Sequence, residues 1–161
     1  MPQNNGTSVT LPSDTEIHIT RVFDAPRELV YRAHTDPTLI PRWWGPEETT
    51  TVVDKMDVRP GGKYRFIHTA PDGGEYVFHG EFRELVPPER LVQTSALEGQ
   101  PGEIIETLTF EEQNGKTTLT ILDECGSKEA RDAILATGMA EGLHASYDRL
   151  AELLAEQKAI Q

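Results

Sequence analysis

The sequence predicts an α+β fold: a curved seven-stranded antiparallel sheet around a long C-terminal helix, with two short helices after the first strand. Three observations carry this. Apolar residues alternate in seven short segments between residues 16 and 124, the pattern of strands with one buried face. The links between the later segments are short and built from Gly, Pro and Asn, which makes neighbouring strands antiparallel. After residue 127 the apolar spacing changes to steps of three to five, the period of a helix.

Residues 1–13 are polar and carry no period, which predicts a mobile tail ahead of one domain spanning 14–158. Residues 16–23 place Ile17, Ile19 and Phe23 on one face of a first strand. Asp24 ahead of Ala25-Pro26 predicts a capped helix start, with Leu29, Val30 and Ala33 as its apolar stripe. Asp36-Pro37 opens a second short helix, which Gly45-Pro46 ends. Strands then follow over 49–58, 63–69, 75–86, 90–97, 103–111 and 117–124, and Asn114-Gly115 is the strongest hairpin signal among their turns. Ser127 caps the last helical stretch, whose stripe runs through Ile134, Met139, Leu143, Tyr147, Leu150 and Leu154. Gly138 predicts a break there, with the longer helix beginning near Met139. Only this helix is long enough to cover the sheet, and a strongly curved sheet gripping one helix leaves an elongated hollow.

Composition narrows the function. The 161 residues hold 15 Lys and Arg against 27 Asp and Glu, a net charge of −12. Such a chain, without a basic stripe, repels phosphate backbones and anionic lipid, which argues against nucleic-acid and membrane partners. No apolar run reaches membrane-spanning length, and the first residues lack the regions of a signal peptide, so a cytoplasmic protein is expected. The single Cys125 excludes an internal disulfide and a Cys-based zinc cluster, and with no histidine beside it in sequence it reads as an inert thiol. No cofactor is implied.

The hollow has candidate walls. A two-residue turn at Asp72-Gly73-Gly74 would set Tyr64, Phe66 and His68 opposite Glu81, His79 and Val77, mixing aromatics with charge. A three-residue loop with a left-handed Gly instead pairs His68 with Phe78, Phe66 with Gly80 and Tyr64 with Phe82. That register is preferred because it gathers Tyr64, Phe66, His68, Tyr76, Phe78 and Phe82 on one face. Such a face is either plain core or an aromatic wall for a ring-bearing ligand. Within it His68 either orients a ligand oxygen or is satisfied by a neighbouring hydroxyl. His68 and His79 fall on opposite faces, and no metal site is expected.

Alternation also turns Arg21 and Glu106 inward, where a charge needs a partner: either a structural ion pair or a ligand at a polar cavity end. Trp43 and Trp44 diverge by about 100° on a helix, so one anchors the core while the other, assigned to Trp44, lines the entrance or an interface. Gly138 and Gly142 share a helix face and either let the sheet approach or make room for a ligand.

The runs ITRVFDAPRELVYRAHTDPTLIPRWWGP, DVRPGGKYRF, PDGGEY, GEFRELVPPERLV and SKEARDAILATGMAEGLHASYDRLAELL resemble bacterial proteins of the heat-shock-protein-90 ATPase activator-like family, over about residues 15–155. The resemblance implies a helix-grip (START-like) fold, in a superfamily of lipid and hormone carriers, aromatic polyketide cyclases and hydrophobic-ligand sensors. Members often carry Trp where this chain has Leu143, which implies an enlarged or reshaped cavity and adds Leu143 to the candidate lining.

The leading expectation is a binding protein for a small hydrophobic or aromatic molecule or lipid. Second stands a cyclase- or lyase-type enzyme using His68, Glu106 or Arg21 as acid–base or orienting groups. Third is a chaperone-ATPase-associated interaction module docking through Trp44. A homodimer is compatible with all three.

Overall fold

Strands form where β-branched and aromatic residues alternate with polar ones, and among the described residues (7–46, 48–100 and 102–159 of this computed structural model) eight of them join in one antiparallel sheet. The elements are β1 (Ser8–Thr10), β2 (Glu16–Phe23), α1 (Arg27–Thr35), α2 (Ile40–Trp43), β3 (Thr50–Met56) and β4 (Lys63–Thr69). There follow β5 (Glu75–Val86), β6 (Arg90–Leu97), β7 (Ile104–Gln113), β8 (Lys116–Glu124), α3 (Lys128–Ala136) and α4 (Met139–Ala159). The strand order is β1-β2-β8-β7-β6-β5-β4-β3, so the sheet stays open, with β1 and β3 at its edges. This is the helix-grip arrangement, with eight strands in place of seven.

The additional strand is a correction. Ser8–Thr10 fall within the segment expected to be a tail, yet they pair with β2 through Val9 and Ile19. Three residues are too few to show a period, and backbone pairing to an edge demands little of the side chains. Residues 1–6 of the expected tail lie outside the described residues.

Asn114 and Gly115 both take positive φ, 56° and 78°, and turn β7 into β8 with Gln113 opposite Lys116. At the β4–β5 hairpin a three-residue loop does form, but over Pro71, Asp72 and Gly73, with Gly73 in the left-handed region. The register is therefore moved two positions from the expected one. Tyr64 lies opposite Gly80, Phe66 opposite Phe78 and His68 opposite Tyr76. An even displacement preserves which face each side chain takes. Register shifts between Val53 and Lys55, and between Phe82 and Glu84, bend the sheet around its concave face.

Asp24 does not cap α1. Pro26 stands at the cap, and the Arg27 N–H donates to Glu112 Oε1 of β7 at 2.9 Å. Ser127 does cap α3, its Oγ accepting from Ala130 N at 3.0 Å, and Gly138 with φ +82° separates α3 from α4. The core lies where the concave face meets α1 and α4: Phe23, Phe110 and Leu119 are buried with Leu150 and Leu154. No described helix is long and apolar enough to cross a membrane.

Candidate functional site

The core stops short of filling the space beneath the first half of α4. There a cavity of about 320 Å³ remains, lined by the concave face of the sheet, by the segment following α2 and by Met139 to Tyr147. The register places an aromatic group on one side. Phe66 of β4 and Phe78 of β5 are directly opposite each other, and Trp44 lies edge-on to both, with ring centroids 5.5 and 4.9 Å away.

The two tryptophans separate as their helical divergence requires. Trp43 is buried, its Nε1–H donates to Ala33 O at 3.0 Å, and its ring stacks on Tyr147 at 5.6 Å. Trp44, half-buried, turns the opposite way towards the aromatic wall.

His68 sits beside Trp44, at 5.4 Å between centroids. The Thr51 hydroxyl donates to Trp44 O at 2.8 Å, which leaves its oxygen to accept from His68 Nδ1–H at 3.2 Å. His68 Nε2 is thus the ring's acceptor, and burial lowers the imidazole's pKa, keeping it neutral. Gly45, with φ +96°, makes this possible, because a Cβ there would collide with the His68 ring.

The far wall is polar. Ile17, Asp123, Glu106, Gln93 and Phe82 lie in register across β2, β8, β7, β6 and β5. The middle three present a continuous polar stripe between two apolar ends, and all three line the cavity. Gln93 Nε2 donates to Glu106 Oε1 at 3.0 Å. Asp123 is 1% exposed; burial, the neighbouring Glu106 charge and its hydrogen bond to Glu106 together hold its pKa well above the usual carboxylate range. No protein N–H or O–H reaches Asp123 Oδ1.

Above the stripe, Tyr147 of α4 meets His34 of α1, with 3.4 Å between Tyr147 OH and His34 Nε2. His34 Nδ1–H donates to Val30 O at 2.8 Å, and burial pushes the imidazole down to about 4. The neutral ring therefore accepts from the tyrosine hydroxyl, and burial raises the Tyr147 pKa. This His–Tyr pair is a buried hydrogen bond between neutral groups.

Of the sequence candidates, the structure gathers Trp44, Tyr64, Phe66, His68, Phe78 and Glu106 around the cavity, with Gly142 and Leu143 on its helical side. Three stand elsewhere. Tyr76, near the hairpin end, is 48% exposed; Phe82 is buried in the core; Gly138 is the joint between α3 and α4. The register correction also matters here. Tyr64, rather than Phe66, covers the bare backbone of Gly80, and its hydroxyl donates to Thr94 O at 2.6 Å. Arg21 is buried but turns to α4, where Nη2 donates to Asp148 Oδ1 at 2.9 Å, and it does not line the cavity. Cys125 is buried, and its thiol is pushed up to about 11, chiefly by burial.

Sequence reasoning missed Asp123, Gln93, His34 and Tyr147. The signal for Asp123 was present: a two-residue turn at Asn114-Gly115 already sets Glu106 opposite residue 123.

The family model for "Activator of Hsp90 ATPase homolog 1-like protein" matches residues 24–155. A search of the curated proteins finds no match. Among solved structures, one from Rhodobacter sphaeroides is 28% identical, with a TM-score of 0.88, covering 94% of this chain and 99% of that one. One from Chromobacterium violaceum is 32% identical, with a TM-score of 0.76, covering 88% and 98%. DynU16, a protein of the dynemicin biosynthetic locus, is 26% identical with a TM-score of 0.67; 89% of this chain is covered but 48% of DynU16.

Proposed function

The chain belongs to the activator of Hsp90 ATPase homolog 1-like family, and from that premise we propose that it binds a small hydrophobic or aromatic molecule between sheet and α4. The fold is one that supports ligand-binding or polyketide-cyclase-like proteins. The observation that carries the reading is the unfilled cavity itself, walled by Trp44, Phe66 and Phe78 and faced by a helix without a side chain at Gly142. Its size suits a molecule of two or three rings, at the lower end of ligand pockets. Ring edges and faces offered by three aromatics contribute area and geometry at little entropic cost, because they already pack on one another.

The test is a thermal-shift screen against neutral aromatic and lipid compounds, with Phe78→Ala and Gly142→Leu alongside. Saturable stabilisation of the wild-type protein that both substitutions diminish supports the reading. A library without a stabilising compound, or stabilisation indifferent to both substitutions, refutes it.

A second reading, a cyclase- or lyase-type enzyme, is favoured by one observation: at the cavity wall Asp123 lies beside Glu106, with its pKa held well above the usual carboxylate range by burial and that neighbour, as a general acid requires. The similarity to DynU16, from a biosynthetic locus, points the same way. Turnover of a ligand found in the screen, lost in Glu106→Gln, would establish it. Docking to a chaperone ATPase has less support, since Trp44, its sequence candidate, packs inward against Phe66 and Phe78.

A further inference from the structure

We infer that the cavity selects ligands whose polar end donates hydrogen bonds, an alcohol, a phenol or an ammonium, and rejects carboxylates such as fatty acids. This rests on the binding reading above and specifies the chemistry of the occupant. The polar stripe is rich in acceptors. Glu106 and Asp123 bring four carboxyl oxygens, against one amide N–H, donated by Gln93 to Glu106 Oε1. Both carboxyl residues line the cavity, and among the described residues Gln93 brings the one side-chain N–H that reaches them, so an occupant's donor meets acceptors in excess.

Charge argues in the same direction. Among the described residues no Lys or Arg lines the cavity, and the buried Arg21 is turned to Asp148. A ligand carboxylate would meet Glu106 with no cation to neutralise either charge, in surroundings where burial strengthens the repulsion. A hydroxyl can instead donate to the pair and accept from Gln93, and an ammonium is attracted by it. The apolar body of the ligand then extends along the Phe66–Phe78 wall towards Leu143 and Met139.

The experiment compares three probes with one ring system and different heads: 2-naphthylmethanol, 2-naphthylmethylammonium and 2-naphthoate. Affinities are read by calorimetry at pH 7 on the full chain. Alcohol and ammonium are expected to bind at least about tenfold more tightly than the carboxylate, the effect of a hydrogen bond to a charged group. Glu106→Gln and, separately, Asp123→Asn, both near-isosteric and checked by melting, should narrow that ratio to within about threefold. Equal or tighter binding of naphthoate, or a ratio unchanged in both variants, overturns the selectivity while leaving a binding cavity. Binding by none of the three removes the binding reading and the selectivity together.

Discussion

Gly142→Leu separates an empty cavity from a well-filled core by the sign of its effect on stability. A Cβ built at Gly142 meets no atom within 4 Å, and the backbone there is ordinary helix, so the substitution introduces neither clash nor strain. Replacing Gly by Leu inside a helix stabilises by about 0.8 kcal/mol through propensity. Each carbon that leaves water for the cavity adds about 0.8 kcal/mol, and with half of the side chain's four carbons buried the total is about 2 kcal/mol. For a chain of this length that corresponds to a rise in Tm of roughly 4–8 °C. The same side chain occupies the ligand's space, so the variant should melt higher alone yet respond little to a ligand that stabilises the wild type. Thermal melts of both proteins, with and without ligand, measure the two effects together. A lower Tm, the sign of an overpacked core costing about 1–3 kcal/mol, would refute the reasoning, as would an undiminished ligand response.

Other perturbations test the neighbouring contacts. Trp43→Ala should cost about 3–5 kcal/mol in urea unfolding, because it removes a buried indole, its hydrogen bond to Ala33 and its stacking on Tyr147. Trp44→Ala should cost about half as much while weakening ligand binding more. Gly80→Ala drives a methyl into the Thr94 carbonyl and to 2.7 Å from Tyr64 Cε2, and should lower stability by more than about 2 kcal/mol in the same assay. For His34 the folded pKa falls from 6.5 to about 4. The unfolded chain takes up a proton as pH drops below 6.5 while the folded one does not, so stability declines by about 3 kcal/mol between pH 6.5 and 4. His34→Gln should remove that decline. Asp123 acts with the opposite sign: the folded carboxyl holds its proton above the ordinary 3.8, so stability falls as pH rises past that value. Asp123→Asn should accordingly be more stable than the wild type at pH 7–8 in chemical denaturation.

Most of the architecture was legible because alternation and turn chemistry act locally. Ile17, Ile19 and Phe23 marked the inner face of β2, and Asn114-Gly115 marked the last hairpin. Gly138 marked the break before α4. The β4–β5 loop was legible in length but not in position, since Pro71-Asp72-Gly73 and Asp72-Gly73-Gly74 both offer a left-handed Gly. Face survived that ambiguity, and so did the aromatic wall; register did not, which is why Tyr64 rather than Phe66 covers Gly80. The cap of α1 was illegible for a different reason: its acceptor, Glu112, is remote in sequence and arrives only when the sheet has formed. The His34–Tyr147 bond likewise joins two helices whose approach no local pattern encodes.

Amide and indole NMR with 2-naphthylmethanol tests the central claim most directly. Saturable shifts should concentrate at the Trp44 indole N–H, at the amides of Phe66, Phe78, Gly142 and Leu143, and leave the outward-facing Val52 and Val22 in place. Shifts confined to the outer face, or none at ligand saturation of the solution, would contradict a cavity that takes an aromatic guest.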